Sequence, residues 1–129
     1  MAHWHGISRR KPSGGRLKRP SSYRGKRRTE IASEKQFTMM GDPSRKNYRK
    51  RAGSQTVRVL FDTVINVADK KTGKVTQATL QSVAENAADP NYVRRNIMTK
   101  GAVVDTDKGR VRITSRPGSH GVINGVLLE

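Results

Sequence analysis

Cysteine is absent from this 129-residue chain, which excludes disulfides and thiolate metal sites and is compatible with a reducing cytosol. No apolar run approaches the ~20 residues that cross a bilayer, and no charged-then-apolar leader opens the sequence. Acid is scarce as well. Ten Asp and Glu stand against 27 Lys and Arg, a formal net charge of +17. Such an excess repels itself and favours a polyanionic partner. Nucleic acid fits better than a membrane surface, because no basic helix sets bulky apolar residues opposite its charges. Catalytic constellations are also missing. Gly25-Lys26 and Gly73-Lys74 lack the upstream glycine and trailing hydroxyl of a phosphate-binding loop. Asp105 and Asp107 flank a turn, and His120 has no nucleophile or orienting acid placed for it. A binding protein is expected, not an enzyme, with no small-molecule substrate.

The charge is concentrated at the front. Residues 1–58 hold 17 Lys or Arg and three acids, Glu30, Glu34 and Asp42, whereas residues 59–129 are nearly balanced. Arg9, Arg10, Lys11, Arg16, Lys18, Arg19, Arg24, Lys26, Arg27 and Arg28 fall in a stretch without one acid, broken by Pro12, Gly14-Gly15 and Pro20. Too polar to offset its own ordering entropy, this segment is expected to lack structure alone and to order on a phosphate backbone. Trp4 and Tyr23 offer flat groups for bases or arginines, and packing of Trp4 on the domain is an equal alternative. His3 and His5 invite a metal, but a third ligand is wanting and removal of Met1 before small Ala2 would spoil an amino-terminal chelate. Hydrogen bonding of His3 and His5 to phosphate or sugar is the preferred reading. Residues 29–56 read as irregular, with a marginal helical turn near Thr29–Glu34. A second basic cluster, Arg45 to Arg51, includes Arg49, Lys50 and Arg51 and ends at Gly53-Ser54; a solvated linker is one reading, and after the first cluster a second nucleic-acid contact is favoured.

A β-rich domain is expected over residues 56–129, after a basic extension over 1–55. Val57, Val59, Phe61, Thr63, Ile65 and Val67 alternate as in one half-buried strand. Asp69 to Gly73 reads as a hairpin loop. The returning strand, Lys74 to Val83, alternates imperfectly and predicts a bulge near Gln77. A further hairpin turns at Asp107-Lys108-Gly109, placing Val111 and Ile113 on one face and Arg110 and Arg112 on the other. Arg116 to Gly121 reads as a loop before a last apolar strand interrupted by Gly125. The pattern predicts a mainly β fold, a small antiparallel β-barrel-like body with one short helix or helical turn. That turn is Tyr92 to Gly101. Asp89-Pro90 supplies a cap and a first-position proline, and Val93 and Ile97 could share a buried face. Either a helix presenting Arg94 and Arg95 outward or an ordinary solvated charged turn fits these residues.

Three motifs carry a family resemblance. Trp4-His5-Gly6 with Ser8-Arg9-Arg10-Lys11 is one. Arg94-Arg95-Asn96-Ile97 with Thr99-Lys100-Gly101-Ala102 is another. Thr114-Ser115-Arg116-Pro117-Gly118 with Gly121 to Leu127 completes the set. Nearly the whole chain resembles the e-type ribosomal protein eight of the small subunit, a family of archaea and eukaryotes distinct from the bacterial protein numbered eight. The short length resembles the archaeal members. The resemblance implies a structural, cytoplasmic component of the small subunit that binds its large rRNA and meets neighbouring ribosomal proteins, without catalysis or cofactor. It implies RNA contacts at Ser8 to Lys11, Arg94, Arg95, Asn96, Lys100 and Arg116. One departure is Ala52-Gly53, where a glycine pair is expected. The residues themselves leave a DNA-packaging protein as the alternative, and an RNA-modifying enzyme as a third class lacking a visible site.

Overall fold

The computed structural model describes residues 3–17, 25 and 27–128. Contacts divide the chain into two compact units, Met1–Lys35 and Gln36–Glu129. In the first, β1 (His3–Trp4) pairs antiparallel with β2 (Ile31–Ala32). The His5 N–H donates to the Glu30 carbonyl at 2.7 Å and prolongs that ladder. A 3-10 turn over Arg28–Glu30 leads into β2, which corrects the longer helical turn expected there. Irregular chain is expected over the basic stretch, yet residues 9–17 fold back on themselves. Lys11 and Gly15 pair at 2.8 Å, Arg10 bridges Arg16, and Gly14 takes the positive φ of 83° that the turn requires. Backbone pairing of this kind needs no buried side chains, so polarity does not forbid it. Lys18, Arg19, Tyr23, Arg24 and Lys26 lie outside the described residues.

The second unit begins with strands where an irregular linker was expected, twenty residues before the boundary expected at 55/56. β3 (Thr38–Met40) runs parallel to β5 (Gln55–Asp62), and β4 (Ser44–Arg49) pairs antiparallel with β5 on its other side. After a corner, β6 (Val64–Ala68) and β7 (Val75–Glu85) form the hairpin expected at Asp69 to Gly73. Then follow α1 (Pro90–Arg94), β8 (Ile97–Met98), β9 (Val103–Thr106), β10 (Gly109–Ile113), α2 (Pro117–His120) and β11 (Asn124–Leu127). Five strands close a barrel in the order β10-β11-β6-β7-β9, and a four-stranded sheet runs β4-β5-β3-β8. The fold is mainly β and barrel-like, as expected. Within the barrel the pairs are antiparallel except that β11 runs parallel to β6, which it meets across the chain and not through a hairpin. Ile65, Val104 and Val111 are fully buried at the centre of the core.

The alternating run from Val57 to Val67 is two strands in two sheets, not one. Asp62 makes the corner. Its Oδ1 accepts the N–H groups of Thr63 and Val64 at 2.9 and 3.1 Å, and its Oδ2 meets Arg45 Nη2 at 3.2 Å. Side-chain acceptance replaces the ladder bonds that the bend removes. In β7 the register with β6 is unbroken through Gln77, so the bulge expected there is displaced. It lies between Leu80 and Ser82, with a second irregularity between Val83 and Glu85. An extra residue shifts burial from Ala78 and Leu80 to Val83, which explains the imperfect alternation. Asp89 caps α1 by accepting the Asn91 N–H at 2.8 Å, with Pro90 at the first position. The helix is shorter than a shared Val93–Ile97 face needs. Asn96 ends it at φ 49°, and Ile97 is buried on β8 instead. The expected loop after Arg116 is one helical turn, begun by Pro117 and ended by Gly121 at φ 76°.

Candidate nucleic-acid interface

Side chains anchored to the backbone build the rims of one basic groove in the second unit. Thr38, buried on β3, donates to the Val59 carbonyl at 2.8 Å, and Thr38 stands opposite Met98 across the β3–β8 pair. Buried Asn86 donates to the Ile97 carbonyl at 3.2 Å and accepts the Thr99 hydroxyl at 3.1 Å, which holds the turn that carries Lys100. Buried Ser115 donates to the Val122 carbonyl and accepts the Asn124 N–H, both at 2.9 Å. That clamp closes the loop bearing Arg116 and α2. The turn then lies tight on β5, because a Cβ on Gly121 would meet Val57 at 3.0 Å.

These rims enclose a groove of about 410 Å³ lined by Phe37, Arg58, Met98, Lys100, Arg116 and Ser119 among others, and none of the described residues that line it is acidic. Arg58 rises from the middle of β5. Its Nη1 donates to Gln36 Oε1 at 3.2 Å, its guanidinium lies 4.8 Å from the Tyr48 ring, and its buried Nε has no acceptor among the described residues. Lys46 approaches the same ring at 5.4 Å and stands directly opposite Arg58 across the β4–β5 pair. Like charges facing each other destabilise a sheet, and an anion over them would reverse that sign. Phe37 is held against Tyr92, ring centroids 5.2 Å apart and tilted by 59°, with the Arg95 guanidinium 5.7 Å above its ring.

Of the residues expected to touch RNA, the structure brings Arg95, Lys100 and Arg116 to this groove or its wall. Arg94 is exposed at the end of α1. Asn96 serves the fold: its carbonyl accepts the Met40 N–H at 3.3 Å and its Oδ1 faces the Val83 N–H at 3.5 Å. Arg112 projects from the outer face of β10 beside Arg110, which pairs with Asp105 at 3.4 Å; neither lines the groove. Arg49, Lys50 and Arg51 are exposed at the turn between β4 and β5.

In the first unit Trp4, 40% exposed, carries the Arg9 guanidinium 5.6 Å from its ring, the arginine-stacking alternative. Gly6 tucks so close beneath that ring that a Cβ there would clash. Ser8 accepts the Arg10 N–H at 3.2 Å, and Arg10 Nη1 donates to the Gly14 carbonyl at 3.0 Å. His5, Lys11, Arg16, Arg27 and Arg28 are exposed. Arg58 and the Phe37–Tyr92 pair were missed, whereas Lys46 and Tyr48 belong to the second basic cluster read from the sequence. A lone arginine inside the apolar run Val57 to Phe61 was the available signal for Arg58; nothing local marked Phe37.

Residues 4–128 match the family described as Ribosomal protein S8e. The chain is similar to small ribosomal subunit protein eS8 of Methanocorpusculum labreanum, 51% identical over 98% of each chain. The protein of that name from Methanospirillum hungatei is 49% identical over 98% of each chain. That of Methanobrevibacter smithii is 42% identical, covering 99% of this chain and 100% of its own.

Proposed function

This chain belongs to the ribosomal protein S8e family, and from that footing we propose that it is a structural constituent of the small ribosomal subunit that binds and stabilises the large rRNA of that subunit in the cytoplasm. The family is structural and not enzymatic. One observation carries the RNA-binding reading: Arg58, Lys100 and Arg116 converge on a preformed groove lined by no acid among the described residues. Cations gathered without carboxylate partners repel one another, and a polyanion removes that repulsion while releasing its own counterions. Arg94 and Arg95 extend the basic face, and the exposed Arg9, Arg10, Lys11 and Arg16 supply a second contact on the N-terminal extension. Lys18, Arg19, Arg24 and Lys26 belong to the same proposed contact by charge alone. The barrel face engages backbone and shape before sequence, as helical RNA offers its grooves poorly to side chains.

Sedimentation of a lysate through a sucrose gradient at low and high salt tests this. Cosedimentation with small subunits that is lost only at high salt is expected. Migration with chromatin, or as free protein at low salt, would sink the assignment and promote a DNA-packaging role.

A further inference from the structure

We propose that the groove between Arg58, Lys100 and Arg116 is a pocket for one unpaired ribonucleotide, with its phosphate on those cations and its base against Phe37 and Met98. This pocket rests on the RNA-binding reading above and specifies which feature of the RNA the face takes. Concavity is the first reason. The groove, about 410 Å³, falls within the range of roughly 300–1,000 Å³ usual for small-ligand pockets. A duplex backbone meets a flat basic patch equally well, whereas only a splayed nucleotide projects into a hollow of that size.

Chemistry of the lining is the second. Arg58 is held in place by Gln36 and Tyr48 and lines the groove. A guanidinium carries more N–H donors than a single amide oxygen can take, and an anionic oxygen in the groove takes others in charge-assisted bonds. Carboxylates of an acidic protein segment would satisfy the cations too, but they leave the aromatic wall unused. Phe37 is braced by Tyr92 and Arg95, so a base meeting it loses little entropy in ordering the wall. Polar groups at the margin, Gln36 and the exposed Ser119, are within the lining and suit the edge of a base. The rims are preformed by Asn86 and Ser115, as a site for one defined occupant requires.

Fluorescence anisotropy with the full chain tests the pocket. The probes are a labelled single-stranded RNA of about eight nucleotides and a blunt RNA duplex of about 16 base pairs. Ser119→Trp fills the groove from an exposed position, and Phe37→Ala removes the wall; thermal melts check that each remains folded. At matched salt both variants should lose about five- to a hundredfold of affinity for the single strand, the worth of one stacked base. Duplex binding should change less than twofold on the same scale. Folded variants that bind the single strand as wild type does would overturn the pocket while leaving RNA binding intact. A polyglutamate peptide that binds wild type comparably and is lost equally in Ser119→Trp would reassign the groove to an acidic protein segment. Failure of the wild type to bind either RNA would remove the RNA reading itself.

Discussion

Ala52 holds a backbone conformation that its side chain resists. At φ 60° and ψ 21° it sits in the left-handed region, followed by Gly53 at φ 77°. Two consecutive positive φ values make the tight reversal between β4 and β5, closed by the Lys50 N–H on the Ser54 carbonyl at 2.6 Å. A glycine pair is thus explained by the turn, without invoking approach of the backbone to RNA. Left-handed geometry costs an L-residue about 1–2 kcal/mol, partly offset by the greater unfolded freedom of glycine. Ala52→Gly should therefore stabilise the protein by about 0.5–1 kcal/mol, read as a higher midpoint in urea. Asp62 makes the opposite kind of contribution. Truncation to Ala strips acceptors from two backbone N–H groups and from Arg45 at a buried corner. Asp62→Ala should cost about 1–3 kcal/mol, whereas Asp62→Asn, which keeps one acceptor oxygen, should cost less; chemical denaturation of both variants checks the order.

Among elements, the β6–β7 hairpin carries its own pH dependence. Asp69 accepts the Lys71 N–H and the Thr72 hydroxyl, each at 2.8 Å, and Gly73 takes φ 68° to close the loop. The Lys71 backbone bond foremost, then the Thr72 hydroxyl, holds the Asp69 carboxyl below its ordinary value of 3.8. A depressed folded value means that its contribution is complete above the unfolded value and disappears as the pH falls through the folded one. Protection of the Lys71 and Gly73 amides from exchange, taken relative to the intrinsic rate at each pH, should accordingly be constant near neutrality and fall below about pH 4. In Asp69→Asn that fall should be absent. β4 shows how a sheet edge is kept from pairing with other chains. Arg45, Lys46 and Arg49 line it, and strands so charged at an edge repel their own kind. The same charges suit it to RNA.

For the whole molecule, affinity and stability reside in different places. The apolar core of the second unit is enclosed by the barrel, while Arg94, Arg95, Lys100 and Arg116 are exposed. Replacing Arg94 and Arg95 with Ala should weaken incorporation into small subunits and leave thermal unfolding within about 0.5 kcal/mol of wild type. Removal of each cation that meets a phosphate should also reduce the salt dependence of rRNA binding, by about 0.7–0.9 in the slope of log K against log salt. Loss of the fold in the double variant would make those arginines structural, and the reading of that turn would fail. Arg95 is the more exposed to that outcome, because it braces Phe37.

Local pattern made several parts of this protein legible. A strand alternates its faces, so Val59, Ile65, Val67, Val111 and Ile113 announced the core wherever the chain kept that period. Turns at Gly73 and Gly109 and the Asp89-Pro90 cap were equally plain, because positive φ and orphan N–H groups demand particular residues. Net charge and the scarcity of acids settled the class of ligand expected. Other parts had no local signal. Thr38–Met40 and Ser44–Arg49 are strands only because β5 offers them backbone partners, and their side chains carry no period. The corner at Asp62 depends on Arg45, seventeen residues away. The groove is assembled from residues spread from Gln36 to Ser119, through cross-strand pairing of Thr38 with Met98 and the clamps of Asn86 and Ser115. Sequence alone determined that this chain would be a basic, mainly β protein, since composition and period act over a few residues. Which cations share one hollow, and that Phe37 stands beside them, only the tertiary structure decided, because long-range backbone pairing sets those neighbours and leaves no trace in local order.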